Sequence, residues 1–200
     1  AVGALYLARR GAWALAALPA FGAGFTRFVG VVVAPMLLLE WWTQRRRQPR
    51  DLRPPWSALL AAASPLFATG AYMLYLWRSF GDPLAFAHAS SAWGRVARSP
   101  LATVGELLGR PAEGWGAAVA AGRLPLDHWV DLASVLLFLA LGCVLLRQRR
   151  WSEGTLVTLG AIIPFSSGLL MSQRRYMWVL FPAFILLARW GERPWLDRLI

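Results

Sequence analysis

The chain has 200 residues, 58% of them hydrophobic, with twelve tryptophans and a net charge of +11 set by 21 basic residues, all arginine, against 10 acids. So much apolar surface excludes an ordinary water-soluble domain. The arginines gather at the ends of apolar runs, which excludes nucleic acid as the partner and points to membrane orientation and headgroup contact.

Residues 1–8 read as the last turns of a transmembrane helix, closed by Arg9 and Arg10. There is no initiator Met and the chain opens inside this apolar stretch, so the N-terminal part of a longer protein is expected to precede it. The next run, "GAWALAALPAFGAGFTRFVGVVVAPMLLLEWW", is too long for one straight span of ~20 residues. Gly22, Gly24, Thr26, Arg27 and Gly30 interrupt it near the middle. Two short helices meeting at Thr26–Arg27 are expected, with both open ends on one side, so that Arg9 and Arg10 lie beside the cluster Arg45 to Arg53.

Residues 56–77 have spanning length at ~1.5 Å per residue, with Pro65 and Gly70 tolerable in a membrane helix. The mixed region 79–131 is expected to hold short helices and no span. Within it, Asp82 and Pro83 form an N-cap and first-turn pair. Phe86, Ser90, Trp93 and Ala97 then share a face, with Arg95 opposite Phe86, as in a helix lying along the interface. Three further apolar runs, 129–146, 155–171 and 176–190, complete the chain. They are short enough to imply bent helices or a thinned bilayer. Asp127 and Asp131 read as a solvated helix start favoured by the helix dipole, with a general base as the other reading. Glu40 is expected near the helix end, ion-paired close to Arg45 or exposed. Cys143 is the single cysteine, which rules out an internal disulfide, and His88 and His128 have no metal-ligand spacing. Neither metal nor cofactor is expected.

Counting sides from a cytoplasmic Arg9, the hairpin returns Arg45 to Arg53 to the cytoplasm and the 56–77 span puts 79–131 outside. The later spans return Arg147, Arg149 and Arg150, then Arg189, Arg193 and Arg198, to the cytoplasm. Three basic clusters and the tail thus fall on one side, as the positive-inside rule expects. The predicted fold is all-α, a polytopic integral membrane bundle with a broken-helix hairpin and an outer loop region.

The exceptions to the count carry the functional signal. Arg27 at the hairpin tip, Arg95 and Arg98 in the outer region, and Arg174 and Arg175 in a short outer loop all lie where orientation needs no arginine. An arginine at a helix centre costs ~2.5–3.5 kcal/mol on insertion scales, and far less near the interface, where it snorkels. Arg174 is open to either reading, interfacial anchor or phosphate ligand. Arg27, between apolar neighbours and glycine, needs a partner, and paired bonds from guanidinium to phosphate supply one. A polyprenyl-phosphate headgroup is the expected ligand class. His88 reads either as an interfacial histidine or as a bond donor to a substrate hydroxyl or phosphate, and Asp82 as a cap before an acid.

"GFTRFVGVVVAPMLLLE", "FGDPLAFAHASSAWGR" and "SQRRYMWVLFPAFILLA" together resemble bacterial PIG-V-like mannosyltransferases of the GT-C superfamily. The family patterns match at Thr26, Arg27 and Gly30; at Gly81, Asp82, Pro83, Phe86, Trp93, Gly94 and Arg95; and at Ser172, Arg175, Tyr176, Phe181 and Pro182. The resemblance implies an inverting, multi-pass enzyme of the bacterial inner membrane. It would take mannose from polyprenyl-phosphate-mannose at the extracytoplasmic face. It also implies that the whole chain is one transmembrane domain, the C-terminal part of a longer enzyme, because the family's catalytic aspartate lies in a first outer loop with no counterpart here. The catalytic base is then expected upstream. Arg27, Arg175, Arg174, Arg95 and His88 are the expected phosphate contacts, and Trp93 and Tyr176 the expected packing against sugar or lipid. A transporter or flippase for a lipid-linked sugar would use the same arginines without a base, and would show inverted repeats with paired broken helices. A membrane scaffold would leave Arg27 unexplained.

Overall fold

A computed structural model describes residues 1–47, 55–92, 94–108, 114–121 and 126–192, and every regular element among them is a helix. Helix α1 (Val2–Arg9) turns back into α2 (Trp13–Thr26). Arg27 is extended (φ −152°, ψ 142°), a 3-10 turn covers Phe28–Val32, and α3 (Val33–Arg47) follows. Contacts at the far end fix the direction of α3. The Gln44 amide donates to the Ala8 carbonyl (3.2 Å) and Arg9 Nε donates to Glu40 Oε1 (3.4 Å). Residues 11–42 thus form the expected hairpin, with Arg27 at the bend and Arg9, Arg10 and Arg45 to Arg47 at the open end. Gly30 lets the bend close: a Cβ there would stand 1.9 Å from the Ala23 carbonyl oxygen.

Helix α4 (Pro55–Phe80) packs on both arms of this hairpin. Alanines bring the backbones together, with Ala16 and Ala20 of α2 and Ala58, Ala61 and Ala62 of α4 all buried in one core. Short helices follow, as expected for 79–131: α5 (Ala85–Ser91), α6 (Pro100–Leu108) and α7 (Trp115–Ala120). Helix α8 (Leu126–Arg147) then packs along α9 (Trp151–Phe165). Val135, Phe138, Leu141 and Leu145, three or four residues apart, form the buried face of α8. Helix α9 joins the two cores, since Leu156 belongs to the hairpin core while Val157 and Ala161 belong to the core built on α8.

Among the described residues, two helices, over Trp56–Phe80 and Leu126–Arg147, are long and apolar enough to cross a membrane. The remaining apolar runs form shorter pieces. The run 176–190 is divided between α10 (Arg174–Met177) and α11 (Phe181–Gly191). Pro182 lies in the first turn of α11, where its missing N–H costs nothing; farther inside a helix it would break one. At 15 and 11 residues, α9 and α11 rise only about 22 and 16 Å.

Several polar side chains are buried beside the two apolar cores, and several large apolar ones are exposed. Glu40, Asp131, Ser152, Glu153 and Gln173 are buried, while Leu18, Phe67 and Phe80 are 72%, 64% and 69% exposed.

Three acids depart from expectation. Glu40 is buried, and its partners are Arg9, Gln44 and Ser152 (Ser152 Oγ donates to Oε2, 2.6 Å), not Arg45. The Arg45 guanidinium instead lies 5.5 Å from the centre of the Trp41 ring. Asp131 is 1% exposed, so it is no solvated helix start. Asp82 does not cap α5, which begins three residues later behind Leu84. It closes a turn ahead of that helix, Oδ1 accepting from the Leu84 amide (2.9 Å).

Candidate functional site

Helix α9 ends through Pro164 at Phe165, and the segment beyond it is held by side chains. Gln173, fully buried, donates from Nε2 to the carbonyls of Pro164 (3.0 Å) and Leu169 (2.6 Å). Asp131 of α8 collects the next residues. Its carboxylate accepts from the Ser172 amide (2.8 Å), the Arg174 amide (3.0 Å) and Arg174 Nε (2.9 Å). Ser172 takes a left-handed conformation (φ 68°), which a non-glycine residue adopts only when its surroundings hold it there. This anchored loop presents Arg175 and Tyr176.

The segment after α5 arrives from the other side. Phe86 packs on Phe28 (ring centres 5.8 Å apart) and Tyr72 (6.1 Å), which sets α5 over the hairpin bend. The helix ends in a turn with Gly94 left-handed (φ 75°); the Gly94 amide donates to the Ser91 carbonyl and the Arg95 amide to Ser90. Because the helix stops there, Ala97 does not continue the face of Phe86 and Ser90, and Arg95 is not opposite Phe86. The turn sends Arg95 back into the same cleft. Arg95 Nη1 donates to Ser167 Oγ (3.2 Å), and the Arg98 amide donates to the Ser166 carbonyl (3.0 Å).

These elements enclose a cleft of about 800 Å³ between the hairpin bend, α5 and the 166–176 segment. Arg27, Arg95 and Arg175 line it, together with Ser167, Ser172 and Tyr176. Two cations approach the Tyr176 ring: the Arg27 guanidinium carbon is 5.5 Å from the ring centre and that of Arg95 5.8 Å. No carboxylate is among the described residues that line the cleft, and among the described residues none pairs with these three arginines. A smaller, mostly apolar cavity of about 260 Å³ adjoins it, sharing Arg27, Val29 and Tyr176.

No protein-family model, curated protein or solved structure matches this chain.

Of the residues singled out from sequence, Arg27, Arg95, Arg175 and Tyr176 therefore meet in one cleft although up to 149 positions separate them. Arg174 points elsewhere, bridging Asp131 and Asp127 (Nη2 to Oδ1, 2.8 Å). His88 is on the outer side of α5, with Nδ1 2.7 Å from Asp82 Oδ2, and does not line the cleft. Trp93 lies outside the described residues. Sequence reasoning missed the serines at 166 and 167 and the anchoring role of Asp131. The only signal for Asp131 was its position one turn after Asp127, at the start of an apolar run.

The cleft thus brings three arginines and an aromatic ring together. Guanidiniums gathered with no carboxylate among the described lining repel one another, an arrangement suited to an anion whose oxygens accept from more than one of them.

Proposed function

We propose that the chain is a multi-pass membrane protein whose arginine cleft holds the phosphate of a polyprenyl-phosphate sugar, and that it serves a PIG-V-like transfer of mannose from that donor. The observation that carries the reading is the convergence of Arg27, Arg95 and Arg175 around Tyr176 in a cleft lined by no described carboxylate. The buried polar residues, the exposed apolar ones and the two helices of spanning length support the membrane setting. In that setting Arg9, Arg47, Arg149 and Arg189 are cytoplasmic, and the cleft opens at the opposite, extracytoplasmic end of α9.

The acceptor hydroxyl attacks the anomeric carbon from the side away from the phosphate. The bond from that carbon to the phosphate oxygen breaks, and polyprenyl phosphate leaves. The donor is a phosphodiester with one negative charge, and the leaving group gains a second as the bond breaks. The arginines therefore hold the transition state more tightly than the bound donor, the condition for accelerating the step. Tyr176, beside two of these arginines in the lining, packs against the sugar or the lipid. The proton of the acceptor goes to a carboxylate supplied from outside the described lining of the cleft.

The test is transfer of radiolabelled mannose from polyprenyl-phosphate-mannose by membranes containing the protein. Arg175→Ala should lower turnover about a hundredfold with expression intact. Undiminished turnover would remove Arg175 from the site.

A further inference from the structure

At the other end of α9 lies a second cleft of about 580 Å³. Arg9 at the end of α1, Arg47 at the end of α3, Arg149 and Arg150 in the turn between α8 and α9, and Arg189 of α11 all line it. Two buried acids, Glu40 and Glu153, lie at its base. Both are taken up by Arg9 and Arg150: Arg9 reaches Glu40 (3.4 Å) and Glu153 (3.2 Å), and Arg150 pairs with Glu153 through Nε and Nη2. Five guanidiniums against two carboxylates leave three positive charges. Among the described residues, Arg47, Arg149 and Arg189 have no carboxylate partner, and all three are exposed.

Arg149 gives the second observation. It is left-handed (φ 59°). Its amide donates to the Leu146 carbonyl and that of Arg150 to Leu145, the paired bonds of a helix-ending turn in which glycine is the favoured residue. The turn that ends α1 has the same two bonds, with Gly11 (φ 73°) in the equivalent place. One of two like turns at this end of the molecule thus keeps a strained arginine where glycine would be relaxed, and its guanidinium lines the cleft. Conformation does not call for an arginine there; an anion would.

The same cleft is also lined by Trp151, the first residue of α9, and Ile185, midway along α11, which are 44% and 40% exposed. A charged floor beside apolar side chains fits an amphiphile better than a free ion. We infer that this cleft binds the phosphodiester headgroup of an anionic glycerophospholipid, with the acyl chains leaving past Trp151 and Ile185. The site is separate from the arginine cleft around Tyr176 and depends only on the chain being embedded in a bilayer.

The experiment uses the full chain in nanodiscs of phosphatidylcholine, with increasing fractions of phosphatidylglycerol, and follows the unfolding temperature, which rises with any ligand of the folded state. The parent should gain stability with phosphatidylglycerol. Arg149→Gly should be as stable as the parent or more so in phosphatidylcholine alone, because its turn is relieved, yet should need about five times more phosphatidylglycerol for the same gain. Adding Arg47→Gln should weaken the response by a like factor again. Arg175→Ala should respond as the parent does. An unchanged response in the double variant, or a lost response in Arg175→Ala alone, overturns the inference. An equal gain from inorganic phosphate in phosphatidylcholine discs assigns the cleft to a soluble phosphate and overturns the lipid. Failure of the chain to enter the discs overturns it together with the membrane reading, whereas insertion with an unchanged double-variant response leaves the cleft around Tyr176 standing.

Discussion

Three donors converge on the Asp131 carboxylate, which is 1% exposed, and two of them are backbone amides of the loop that presents Arg175 and Tyr176. Asp131→Ala leaves those amides and the Arg174 guanidinium without their acceptor. A loss of about 2–4 kcal/mol is expected, read as a lower unfolding temperature in detergent. Asp131→Asn retains one carbonyl acceptor and should lose about half as much. With the donor bound as proposed, the same change should also weaken donor binding although Asp131 does not line the cleft, since Ser172 relaxes from its left-handed conformation. At Asp82, the bond from His88 first, and then that from the Leu84 amide, holds the carboxyl below the ordinary aspartate range. A lowered carboxyl stabilises the fold above its unfolded value of about 3.9 and loses that contribution as pH falls through the lower folded value. The turn before α5 is therefore intact at neutral pH. His88→Ala should move the Asp82 titration up towards 3.9, as followed by carboxyl carbon NMR.

Among the helices, the hairpin depends on one close approach. With a Cβ at position 30 placed 1.9 Å from the Ala23 carbonyl oxygen, backbone meets backbone and no side chain can swing aside. Gly30→Ala should open the bend, at about 1–3 kcal/mol, and move Arg27 off the Tyr176 ring. A thermal melt checks the first effect and reduced mannose transfer the second. Gly22 serves as the control, because a Cβ there meets nothing within 4 Å, so Gly22→Ala should lower neither the unfolding temperature nor transfer, and its helix position favours alanine by about 0.5–1 kcal/mol. Helix α5 has few buried contacts of its own and is seated by Phe86 against Phe28 and Tyr72. Its orientation, and with it that of Arg95, follows from that aromatic cluster and from the turn at Gly94.

Across the whole molecule, the two arginine clefts stand at opposite ends of α9, one lined by Ser167 and Arg175, the other by Ser152 and Arg150. Embedded as proposed, they face opposite sides of the bilayer. In a chain with Cys143 replaced by Ser, a membrane-impermeant maleimide should label Ser172→Cys on intact cells and Gln148→Cys only after permeabilisation. Labelling in the reverse order would invert the topology and place the Tyr176 cleft in the cytoplasm.

Composition and the order of the apolar runs were enough to establish an all-helical chain, the hairpin broken at Arg27 and the short helices of 79–131. Each follows from local physics: the length of an apolar run, the interruption of that run by Gly and Arg, and the punctuation of Gly and Pro. The meeting of Arg27, Arg95 and Arg175 was legible only as arginines left over from the count of sides. Which of the leftover arginines are free to take an anion was decided by tertiary packing alone. Arg174 and Arg175 are neighbours with the same chemistry, yet one is held by two aspartates forty-odd positions earlier and the other opens to the cleft. The burial of Asp131, the division of the last apolar run and the transfer of Glu40 from Arg45 to Arg9 were equally beyond reach of the sequence. A charge's partner is set by distance in space, and distance between helices is set by the packing of side chains far apart in the chain.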